Sequence, residues 1–125
     1  MISIRNVNKS YEKLHVLRDV SLDIEQGEIV SIVGPSGAGK TTLLQIMGSL
    51  ERPDSGKVMY GSTDIYSLRD RDLAHYRNAN IGFIFQFHQL LPEFTMLENV
   101  MLPLMIGGGK RDDAMKRAST LIDYM

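Results

Sequence analysis

Residues 29–33, Ile-Val-Ser-Ile-Val, run directly into Gly34-Pro35-Ser36-Gly37-Ala38-Gly39 and then into Lys40-Thr41-Thr42-Leu43-Leu44. A short β-branched run that is apolar on both faces predicts a central strand of a covered parallel sheet. Three glycines within six residues stop any regular structure, and Leu43, Leu44, Ile46, Met47 and Leu50 then recur at helical spacing before the turn Pro53-Asp54-Ser55-Gly56. Strand, glycine loop and helix in immediate succession predict an α/β chain.

The loop fits G-x-x-x-x-G-K-[ST] over residues 34–41, in the strand-to-helix context the motif requires. Glycines let the backbone curl so that successive N–H groups face one cavity. The start of the following helix adds unpaired donors and a positive dipole end, which together suit a phosphate group. Lys40 supplies a point charge for β- and γ-phosphate oxygens. The Thr41 hydroxyl is placed to complete the shell of Mg²⁺, a hard ion that prefers oxygen ligands. The rival reading, an ordinary glycine turn, requires a match that arises by chance in roughly half a per cent of chains of this composition.

Elsewhere the pattern is mixed. Ile2 and Ile4, then Val20, Leu22 and Ile24, alternate with polar residues and predict two early antiparallel strands. Residues 57–60 and 63–65 read as short strands, 70–77 as a charged helix and 81–85 as a further apolar strand. Thr95-Met96-Leu97-Glu98 is a capping box opening a helix, with Pro103 and Gly107-Gly108-Gly109 as interruptions. Ala114, Ala118, Leu121, Ile122 and Met125 mark one face of a last helix. The 14 basic and 15 acidic side chains give a net charge of −1, so no global excess holds nucleic acid. The absence of cysteine excludes a disulfide framework and a thiolate metal site. No stretch predicts a signal peptide or membrane span, so a cytoplasmic location is expected. His75 and His88 lack metal-ligand spacing.

Tyr11 alone would read as strand packing and Gln86 alone as solvated surface. Tyr11 just before the second strand, Val16 within it, residues 34–44 and Gln86 at the end of the run 81–85 together resemble the nucleotide-binding domain of ABC transporters. Residues 81–100 are most similar to its lipoprotein-releasing branch and to the closely related macrolide-exporter branch. The resemblance implies a P-loop core over residues 1–86 and the start of a helical subdomain over 87–125. It also implies ATP and Mg²⁺ as ligands, bound through Tyr11, Val16, Gly34, Pro35, Ser36, Gly37, Ala38, Gly39, Lys40, Thr41 and Thr42. Thr41 and Gln86 would meet the metal, and Lys40 and Gln86 would act in catalysis. The implied partners are transmembrane permease subunits on the cytoplasmic face of the inner membrane and a second copy of the ATPase.

Phe87, Leu90, Leu91 and Phe94, around Pro92, either face the permease or pack inward as core. The family's Leu-Ser-Gly-Gly-Gln signature, its acidic Walker B strand and its switch histidine are not found in residues 1–125. These residues are therefore expected to be the N-terminal part of a transport ATPase, poorly folded and inactive alone. A P-loop metabolite kinase, a soluble repair or translation ATPase, and a nucleotide-binding module without hydrolysis are the alternatives; the first gives no reason for Tyr11 and Gln86.

Overall fold

The computed structural model describes residues 1–125, which divide into two compact units, Met1–Ala74 and His75–Met125. The first is organised around β1 (Ile2–Tyr11), which pairs antiparallel with β2 (Leu14–Ile24) on one side and with β3 (Ser55–Tyr60) on the other. The short β4 (Thr63–Asp64) follows β3 at the edge, giving the order β2-β1-β3-β4. Ile4 and Val7 on β1 and Val58 on β3 are fully buried.

Burial at positions 4 and 7 breaks strict alternation, and a register shift lies between them in the β1–β2 pairing. Asn6 (φ 49°) and Asp19 (φ 51°) take left-handed conformations there, which Asn and Asp tolerate best among residues with a Cβ. Their side chains meet, Asn6 Nδ2 donating to Asp19 Oδ1 at 2.7 Å, while the Asp19 amide donates to Asn8 Oδ1 at 2.9 Å.

Helix α1 (Lys40–Met47) contributes the buried Leu43, Ile46 and Met47. Its last carbonyls, which lack intrahelical partners, accept from tyrosines. Tyr60 Oη donates to the Met47 carbonyl at 2.8 Å and Tyr66 Oη to that of Ile46 at 2.5 Å. A single 3-10 turn (Ile65–Ser67) and α2 (Asp70–Asn80) follow.

In the second unit the capping box is formed: Thr95 Oγ1 accepts from the Glu98 amide at 3.3 Å, and the Thr95 amide donates to Glu98 Oε2 at 2.9 Å. Helix α3 (Met96–Ile106) continues through Pro103 instead of breaking at it. The proline removes only one i→i−4 donor, and its own carbonyl still accepts from the Gly107 amide at 3.1 Å and from Asn78 Nδ2 at 2.9 Å. The glycines at 107–109 do end the helix. Helix α4 (Arg111–Asp123) buries Ala114 and Ala118 with Met101 of α3, and Leu97, Val100 and Leu104 pack around them. Leu121 and Met125, expected on that face, are exposed.

Two expected strands do not form. Residues 29–33 and 81–85 carry no strand pairing, and Ile29 and Ile84 are each 96% exposed. A strand exists through its neighbour's N–H and C=O groups, and neither run is paired into the sheet β2-β1-β3-β4. The sheet is antiparallel throughout, as the alternating residues of β1 and β2 predict, and the run 29–33 lies outside it. Phe87, Leu90, Leu91 and Phe94 are also exposed. No helix is long and apolar enough to cross a membrane.

Thr95→Ala should lower stability by about 1 kcal/mol, the usual value of an N-cap side chain, as read from the denaturant midpoint of the intact protein. The Thr95 amide, and after it the Thr95 hydroxyl, holds the Glu98 carboxyl below the usual glutamate range. A lowered folded-state pKa stabilises above the unfolded value, and that contribution disappears as pH falls through the folded value. The stability gap between wild type and Glu98→Gln should therefore be full at neutral pH and shrink on acidification below the usual glutamate pKa, in an equilibrium-unfolding series across pH.

Candidate functional site

The glycine loop is held in place by a contact that only glycine permits. Gly39, the N-cap of α1, has φ 84°. A Cβ there would lie 2.9 Å from both Leu17 Cδ2 and Val16 Cγ1 of β2. The helix start is thus pressed onto the β1–β2 hairpin. Before it, the Ala38 amide donates to the Pro35 carbonyl at 3.3 Å, closing a turn with Gly37 at φ 78°. Because Gly39 has no side chain to cap the helix and the first turn holds no acidic residue, the leading N–H groups of α1 and its dipole are uncompensated locally.

These elements surround a cleft of about 360 Å³ lined by Tyr11, Val16, Ser36, Gly37, Gly39, Lys40, Thr41 and Thr42. Tyr11, last residue of β1, is 43% exposed. Lys40 Nζ donates to the carbonyls of Gly34 at 2.9 Å and Pro35 at 2.7 Å. Two of the three ammonium donors are thereby fixed on the loop, leaving one for a ligand. Gly34, Pro35 and Ala38 shape the loop without lining the cleft. Gln86 belongs to the second unit, where it is exposed.

The cleft offers the Thr41 hydroxyl but no carboxylate, and no group of three or more His, Cys, Asp or Glu side chains could hold a metal ion. That donor set fits a Mg²⁺ that arrives with phosphate oxygens and keeps its waters, rather than a cation caged by protein.

Sequence reading passed over Lys9. Its side chain is mostly buried, its Nζ donates to the Arg52 carbonyl at 2.8 Å, and it lies 2.5 Å from Glu51 Oε1 and 3.6 Å from Asp54 Oδ1. The hydrogen bond to Glu51 raises its pKa above the ordinary lysine value against the opposing effect of burial. Nζ also stands 5.3 Å from the centroid of the Tyr11 ring. Lys9 and Tyr11 are two apart on one strand, a spacing that shares a face; the carboxylates, more than 40 residues further on, had no local signature.

The ABC transporter family profile matches residues 17–124. A lipoprotein-releasing system ATP-binding protein, LolD, of Bacteroides fragilis is 53% identical over the whole chain, and its counterpart in Porphyromonas gingivalis is 55% identical over 98% of it. The chain spans 58% and 56% of those two relatives. Among solved structures, a dimeric ATP-binding cassette in a post-hydrolysis state with ADP and Pi superposes with a TM-score of 0.88 at 39% identity, covering 96% of this chain and 55% of that one. A second, a dimeric bacterial ABC transporter cassette, gives 0.85 at 41% identity, covering 94% and 53%. With a strand hairpin, a glycine loop and a helix assembled as in those cassettes, the chain belongs to the ABC transporter family.

Proposed function

We propose that the cleft binds Mg-ATP and that the protein is the ATP-binding subunit of an ABC transporter that releases lipoproteins from the inner membrane. The observation that carries the reading is the cleft itself, with an aromatic ring among its walls beside a helix N-terminus and a fixed lysine. Adenine stacks on Tyr11 beside Val16, the phosphates lie against the N–H groups of residues 37–42 and Lys40, and Thr41 meets the metal. The names of the relatives support the cargo.

Hydrolysis needs a proton acceptor for the attacking water. Since no carboxylate lines the cleft, that base comes from elsewhere in the working assembly. By the family resemblance Gln86 would meet the metal or the attacking water in the working assembly, and its place just before the helical subdomain beginning at 87 suits it to report the nucleotide state. A second copy closes over the nucleotide, as dimeric cassettes support. The exposed residues of 87–94 meet permease subunits on the cytoplasmic face of the inner membrane.

In calorimetric titrations of the intact protein, Lys40→Ala should weaken Mg-ATP binding by about 3 kcal/mol, the upper range for a hydrogen bond to a charged group. Tyr11→Ala should cost about 1 kcal/mol, at the low end for base stacking because the ring is half-exposed. Equal affinities of wild type and Lys40→Ala would overturn the phosphate assignment. Cysteines at Leu90 and Leu91 should crosslink to a cytoplasmic loop of the permease, and substitution of Gln86 should reduce transport-linked hydrolysis more than nucleotide affinity.

A further inference from the structure

Tyr11 sits where a side chain has least reason to keep one orientation: at the last position of β1, half-exposed, beside the two-residue turn Glu12-Lys13. A flat ring can serve as a stacking platform only when its plane is fixed before the ligand arrives, since ordering it on binding costs affinity. Among the residues that line the cleft with Tyr11, Val16 is the one apolar side chain larger than a glycine. The Lys9 ammonium is the one charged group that stands over the ring.

That ammonium does not move freely. Glu51, Asp54 and the Arg52 carbonyl hold it from the segment between α1 and β3. Asp54 also fastens β1 on either side of Lys9: its carboxylate accepts from the Ser10 amide at 2.7 Å and its own amide donates to the Asn8 carbonyl at 2.9 Å. The Glu51 carboxylate and the Arg52 carbonyl each accept a hydrogen bond from the ammonium, and Asp54 at 3.6 Å adds an ionic contact, so Lys9 is anchored independently of the ring. A fixed cation within about 6 Å of an aromatic centroid attracts the ring face, so the constraint passes from the lysine to the tyrosine.

We propose that Lys9 is a positioning residue for base recognition: anchored by Glu51, Asp54 and the Arg52 carbonyl, it holds the Tyr11 ring in the orientation in which it lines the cleft. This rests on the reading that Tyr11 stacks on the base. Lys9 is not among the residues that line the cleft, so its removal acts through Tyr11 on the base-dependent part of the affinity.

The test is calorimetric titration of the intact protein with Mg-ATP and, as a probe of the phosphate cradle alone, Mg-tripolyphosphate. Lys9→Met should weaken ATP binding about two- to fivefold while leaving tripolyphosphate unchanged. Lys9→Arg, which keeps a cation able to stack on the ring, should retain most of the preference for ATP. Adding Lys9→Met to Tyr11→Ala should produce no further loss. Should Lys9→Met fail to fold, Lys9→Gln keeps a donor for the Arg52 carbonyl without the charge and carries the same expectations. An unchanged ATP affinity in Lys9→Met, with Tyr11→Ala impaired, would leave the stacking intact and overturn the role of Lys9. Equal losses for both ligands would assign Lys9 to fold maintenance alone and overturn it too. An unimpaired Tyr11→Ala would instead remove the stacking reading, and the proposal with it.

Discussion

The closeness of Gly39 to β2 is the constraint on which the rest of the site depends. Atoms of Val16 and Leu17 occupy the space a Cβ would take, so the first turn of α1 lies directly against the hairpin. That contact brings residues from opposite ends of the first unit's early sequence, Tyr11 and Val16 on one side and residues 36–42 on the other, around one cleft. Any larger residue at position 39 would separate them. The motif glycine is therefore a packing requirement as much as a means of exposing backbone N–H groups.

Where structure follows from neighbours in sequence, it was legible in the residues. The capping box at Thr95 and Glu98, helix α1 and the early hairpin each depend on patterns within a dozen residues. The composition of the runs 29–33 and 81–85 suits buried strands, but composition cannot supply a pairing partner. Pro103 marks an interruption in the pattern, yet it costs α3 only one donor and the helix runs on to Ile106. The glycine loop, Lys40 and Thr41 were readable because a motif with a physical rationale fixes their spacing. Lys9 was not, since its significance lies in carboxylates that folding brings from the far side of α1.

In the second unit one side-chain amide ties down an exposed apolar turn. Asn99 Nδ2 donates to the carbonyls of Leu91, Phe94 and Thr95, and its Oδ1 accepts from the Leu91 amide at 2.8 Å. Thus the turn carrying Leu90, Leu91 and Phe94 is tied to the first turn of α3 by polar contacts, not by burial of its own side chains. Such an arrangement leaves the apolar residues available for a partner without leaving their backbone unpaired.

The two ends of α1 differ in what meets their backbone groups. Hydroxyl donors from Tyr60 and Tyr66 rest on the carbonyls of Met47 and Ile46, satisfying acceptors at the C-terminal pole of a helix only about 12 Å long. At the opposite pole no carboxylate offsets the N–H groups. The start of the helix therefore keeps its partial positive charge. A chain whose formal charge is −1 thereby carries a positive potential confined to one cleft, where the bare helix start and Lys40 face the same space.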